Sequence, residues 1–224
     1  MAPLPSDYEH LDAAASQLTH ILHESGIPHV FFGGYAAGLI GSKRVTKDIN
    51  VITERSAGPA WSCIPEFIWC KDERCWKYVY RDVEVSIAIS MPGGGLWDVP
   101  SPKTAGRHTV SPKELPKRSF HTKVDIIHPS VLILTKLKVW HAAQISQDLS
   151  LNMRTRARLM HIMAALQWLS DEGLRINLKG HPGIPRQELL RLLCRLYRVQ
   201  HEAGPYLAST LSFDDMRNGL CSSG

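Results

Sequence analysis

Apolar positions recur at helical spacing near the start of the chain, at Leu11, Ala14, Ala15, Leu18, Ile21 and Leu22, until Gly26 supplies a stop. Ser6 and Glu9 stand at capping-box spacing ahead of them, so the pattern predicts an amphipathic first helix. Pro28 then introduces His29-Val-Phe-Phe32, an apolar run too short for a helix and suited to a buried strand. Tyr35 to Ile40 predicts a helical turn or two, and the β-branched stretch Ile49 to Thr53 predicts a neighbouring strand. Ala60 to Cys70 has no clear period. Trp76 to Tyr80 and Val83 to Ile89 read as strands joined by a hairpin through Arg81-Asp82. The second strand places Val83, Val85, Ile87 and Ile89 on one face and Glu84, Ser86 and Ala88 on the other.

From Met91 to Lys117 the pattern dissolves into Pro, Gly, Ser and Lys, which predicts a functional loop, a lid or a linker, with Trp97 needing something to pack on. Val124 to Ile127 resumes strand character, and Pro129 opens a helix whose Leu132, Leu137 and Trp140 can point inward while Lys136 and Lys138 reach outward or over a cleft. Two more amphipathic segments end at glycines. The expected class is therefore α+β: a mixed sheet flanked by helices over 1–128, then a helical bundle over 129–224.

Composition narrows the function classes. Across 224 residues, 44% are hydrophobic and 21% charged, an ordinary globular balance, and the net charge of +5 is too modest for a dedicated nucleic-acid binder. Arg191, Arg195 and Arg198 share a helix face, read first as its solvated side. No apolar run approaches a membrane span and no signal-type segment opens the chain, so the expectation is a soluble, cytoplasmic protein without membrane partners. The five cysteines, Cys63, Cys70, Cys75, Cys194 and Cys221, lack paired zinc spacing, and the histidines form no HxxxH or HExxH pair. No resident metal is expected from them.

The candidate chemistry lies between Gly33 and Asn50. Phe32-Gly33-Gly34 followed by "KRVTKDINV", with Asp48-Ile49-Asn50 on a strand, resembles the signature of the nucleotidyltransferase superfamily, in particular its small fungal and minimal-type members. "PSVLILTKLKVW" resembles that family's Pro, Leu, Lys-Leu, Trp pattern after the sheet, and the likeness spans about Asp7 to Trp140. It implies a nucleotidyltransferase-like fold, a glycine pair approaching phosphates, and carboxylates at Asp-x-Asp that gather magnesium around a nucleoside triphosphate.

Here Asn50 stands where the second carboxylate belongs. An amide offers an oxygen but no negative charge to a hard cation. The third position is open between Glu84, Ser86 and Asp125.

The sequence therefore points to a relative that has lost nucleotidyl transfer and acts without metal or other cofactor on a small organic metabolite, as an isomerase, cyclase or pericyclase. Asp48, Asn50, Glu84 and Lys43 are its candidate catalytic residues. Gly33, Gly34, Tyr35, Ser42, Ser86, Trp97 and Lys136 are expected to line its substrate cleft. The fungal resemblance implies a setting such as natural-product ring formation. An active magnesium-dependent nucleotidyltransferase and a non-catalytic binding module are the competing readings.

Overall fold

A computed structural model describes residues 5–62, 64–93, 99–115, 117–145, 149–181 and 184–219. It has two compact units, one formed by 1–39 and 43–128 and the other by 40–42 and 129–224.

The first unit is built on a seven-stranded mixed sheet. In chain order its strands are β1 (His29–Phe32), β2 (Asp48–Thr53), β3 (Phe67–Cys70), β4 (Cys75–Tyr80), β5 (Val83–Ser90), β6 (Arg107–Val110) and β7 (Val124–Ile127). The spatial order is β3-β4-β5-β2-β1-β7-β6. β1 runs antiparallel to β2 and parallel to β7, while β2 runs parallel to β5. The hairpin between β4 and β5 turns at Arg81 and Asp82, whose φ angles of 46° and 65° both lie in the left-handed region that a tight two-residue loop requires.

Helix α1 (Glu9–Glu24) buries Leu11, Ala14, Ala15, Leu18, Ile21 and Leu22, the stripe read from the sequence. Its start differs from the capping-box expectation. A 3-10 turn, Pro5–Tyr8, precedes it, and Tyr8 is the N-cap without a side-chain cap bond. Helix α2 (Gly33–Leu39) follows β1 directly, and α3 (Gly58–Trp61) follows β2. The stretch 91–117 is not without structure. It contains β6, a four-residue edge strand of mostly polar residues that pairs with β7 from Arg107↔Ile127 to Val110↔Val124. Arg118, just beyond it, is fastened to Asp12 of α1.

The second unit is helical: α4 (Pro129–Ile145), α5 (Leu149–Asp171), α6 (Arg186–Val199), α7 (Gly204–Thr210) and α8 (Phe213–Gly219). α4 is apolar on nearly all sides, with Leu132, Ile133, Leu134, Leu137 and Trp140 buried. α6 is strongly two-sided, burying Leu189, Leu190, Leu193 and Leu196 and exposing Arg191, Arg195 and Arg198. Among the described residues no helix is long and apolar enough to cross a membrane.

Candidate functional site

The start of β2 and the β1–α2 junction meet because β1 and β2 are antiparallel neighbours, with Phe32 opposite Asn50. Period-two alternation puts Thr46, Asp48 and Asn50 on the same side of their segment. The Thr46 hydroxyl donates to Asp48 Oδ1, and Asn50 Nδ2 donates to Asp48 Oδ2 at 2.9 Å. Each carboxylate oxygen thus holds one local donor. Thr46 is buried, while Asp48 and Asn50 remain half-buried.

The glycine pair is shaped by the same side chains. Gly33 has φ +77°, and a Cβ there would lie 2.9 Å from Asn50 Nδ2; a Cβ on Gly34 would lie 2.6 Å from Thr46 Oγ1. Both contacts are shorter than atoms tolerate. Glycine at these positions lets Asn50 of β2 and Thr46 of the loop before it rest against the start of α2.

Register decides which β5 residue stands beside Asp48. Asp48 pairs with Ser86 and Asn50 with Ala88, so Ser86 is the direct neighbour. Glu84 lies on the same face but two residues earlier, about 6.6 Å along the strand at ~3.3 Å per residue. Its carboxylate accepts from Lys77 Nζ at 3.0 Å. Lys77 also pairs with Glu73 at 2.9 Å, and the hydrogen bonds it donates to Glu73 and then to Glu84 raise its pKa.

Asp125 is removed from this cluster by topology. It sits near the start of β7, two strands from β2, and accepts from Thr109 Oγ1 at 2.5 Å and Arg107 Nη1 at 3.4 Å.

Tyr35, expected to line the cleft, is instead fully buried. Its hydroxyl donates to Asp12 Oδ1 at 3.0 Å, and burial, reinforced by Asp12's charge, raises its pKa well above the usual phenol value. Asp12 also accepts from Arg118 Nε at 2.8 Å, from Arg118 Nη2 at 2.5 Å and from the Ser119 amide at 3.0 Å. The guanidinium lies 3.8 Å from the centre of the Tyr8 ring. Burial alone would lower Arg118's pKa; the hydrogen bonds and charge of Asp12 outweigh it and leave the value raised.

Of the remaining candidates, Lys43 is exposed in the loop before β2. Ser42 and Lys136 belong to the second unit, and Lys136 is buried on α4 rather than reaching outward, because that helix is enclosed on nearly every side. Trp97 lies outside the described residues.

The structure thus brings together Gly33, Gly34, Asp48, Asn50 and Ser86. It adds Thr46, whose place in the Thr-x-Asp-x-Asn alternation was the available signal. Among the described residues, no group of three or more His, Cys, Asp or Glu side chains is arranged to hold a metal ion.

No protein-family profile matches the chain. No curated protein matches it. Among solved structures it is similar to an antigenic nucleotidyltransferase-like protein from Paracoccidioides brasiliensis, at 18% identity and a TM-score of 0.63, covering 94% of this chain and 97% of that one. A weaker likeness, at 12% identity and a TM-score of 0.39 over 87% and 99% of the two chains, is to the antibiotic-resistance factor ANT(2'')-Ia. That score is too low to establish a shared fold. The first extends over nearly the whole of both chains and agrees with a mixed sheet flanked by helices: the chain has a nucleotidyltransferase-like fold.

Proposed function

We propose that Thr46, Asp48 and Asn50 form the acid–base centre of an enzyme that acts without metal on a small organic molecule, in a reaction of the isomerase, cyclase or pericyclase type. The observation that carries this reading is the closed arrangement around Asp48, with one oxygen on the Thr46 hydroxyl and the other on the Asn50 amide. A carboxylate has about four lone-pair positions, so two filled positions fix its orientation and leave others for a substrate. Positioned in this way, Asp48 can take a proton from one substrate atom and return it to another. Such a transfer leaves the substrate's composition unchanged, which is the balance of an isomerisation or a ring closure. Asn50's second N–H and the Ser86 hydroxyl across the sheet are suited to hold a developing oxyanion.

The same donor set does not fit a pair of magnesium ions. Hard cations of this kind are held by carboxylates and phosphates in octahedral geometry. Here the second position is neutral and turns its nitrogen to Asp48, the β5 neighbour is a serine, and Glu84 is engaged by Lys77.

The test is incubation of the full chain with candidate metabolites in excess chelator, beginning with the polyene and carboxylated ring precursors of fungal natural products. The expected product changes chromatographic retention at unchanged mass, and Asp48→Asn abolishes its formation. Loss of the conversion on chelation would overturn the proposal. So would submillimolar, magnesium-dependent binding of a nucleoside triphosphate in calorimetry.

A further inference from the structure

The other face of the sheet carries a feature unrelated to Asp48. The alternation that turns Ser86 toward Asp48 turns Ile87 and its β4 partner Trp76 the opposite way. On that side, near the β3–β4 edge, a cleft of about 260 Å³ opens between Trp69, Trp76, Ile87, Ile89 and Met91, with Ala57 and Gly58 at its wall. Trp69 and Met91 are 46% and 53% exposed at its rim.

Trp76 is a fixed surface rather than a loose one. Its ring lies 5.7 Å from that of Trp61, which is fully buried and stacked on Phe67 at 5.5 Å. Trp69 leans over it at 5.4 Å and 59°. The two indoles therefore make a V with an apolar floor, which suits a flat ring.

The charge that the described residues bring to the cleft has one sign. Among the described residues Arg74 is the sole charged one lining it, and the guanidinium makes no ion pair or hydrogen bond with any of them. The adjacent acid, Glu73, is held by Lys77 at 2.9 Å. A planar, unpaired guanidinium beside an aromatic cradle matches a carboxylate. The volume falls below the ~300–1,000 Å³ typical of drug-sized ligands, which limits the occupant to one or two rings.

We propose that this cleft binds a small planar aromatic carboxylate, with the ring laid against Trp69 and Trp76 and the carboxylate on Arg74. The site is independent of the Asp48 chemistry and stands or falls separately.

The experiment is a calorimetric titration of the full chain with 2-naphthoate, using 2-naphthylmethylammonium as the charge-reversed control. The expected result is saturable one-site binding of the anion, at least tenfold tighter than the cation. Trp69→Ala should weaken the anion about tenfold, as loss of an aromatic contact of ordinary strength implies. Arg74→Gln should abolish the preference for anion over cation while leaving the melting temperature unchanged, since Arg74 is exposed in a turn. Absence of saturation, equal binding of the two probes, or indifference to both substitutions would overturn the proposal. Concentration-dependent self-association that Trp69→Ala abolishes would also overturn it, by assigning the exposed indole to contact between copies of the chain.

Discussion

Two carboxylates flank α2, and they are held in different ways. Asp12 is fully buried and takes four donors from Tyr35, Arg118 and Ser119, with its charge compensated by a guanidinium that is itself stacked on Tyr8. Asp48 is half-buried and takes only two donors, both uncharged and both from residues two positions away on its own segment. The first arrangement ties α1, α2 and the 118–119 segment together across more than a hundred residues of sequence. The second ties nothing distant. A buried ion pair whose partners each depend on the other is an anchor, whereas a locally oriented, uncompensated carboxylate at a surface is available for chemistry.

Isosteric substitution separates the two roles. Asp12→Asn leaves Arg118 buried beside a neutral amide, and breaking a buried pair in this way costs about 3–5 kcal/mol. Urea unfolding should show this as a large fall in midpoint; a loss below about 1 kcal/mol would remove the anchor from the comparison. Gly34→Ala comes next. The new Cβ would meet Thr46 Oγ1 at 2.6 Å and Thr46 Cβ at 2.8 Å, so overpacking should destabilise the fold by about 1–3 kcal/mol and displace the Thr46 hydroxyl from Asp48. Tyr35→Phe removes one donor from Asp12 and leaves the ion pair in place, so the expected loss is about 1 kcal/mol, read from the same unfolding curves.

The sequence pattern carried the regular parts of this fold and failed where distant partners decide. The β4–β5 hairpin, β7 and α4 were legible because alternation, turn residues and Pro129 each act locally. β6 was hidden because four mostly polar residues, Arg107 to Val110, form a strand only by pairing with β7. β3 was ambiguous because it lies at the sheet's edge and leaves Ile68 and Trp69 largely exposed, so its face is not marked by burial. In the site, Asp48 and Asn50 were legible through their two-residue spacing. Tyr35 was misplaced because the orientation of a short helix depends on what packs against it, and its partner Asp12 lies 23 residues earlier. Ser86 and Glu84 could be separated only by register, which the one-face alternation they share does not reveal.

The smallest expected effect on stability is the most informative about function. Asp48→Asn keeps the side chain's shape and its capacity to accept from Thr46, and the site is half-exposed, so unfolding should change by no more than about 0.5–1 kcal/mol. A substitution that barely alters folding but removes proton transfer would mark Asp48 as a reactive group rather than a strand cap. The reciprocal change, Asn50→Asp, places a second negative charge beside the first, an arrangement better suited to a hard divalent cation. Titrating magnesium while following the melting temperature should then stabilise Asn50→Asp more than the native chain, because only a state that binds the ion gains from it. Equal response of the two proteins would show that the amide at position 50 is not what sets the affinity of this site for divalent ions.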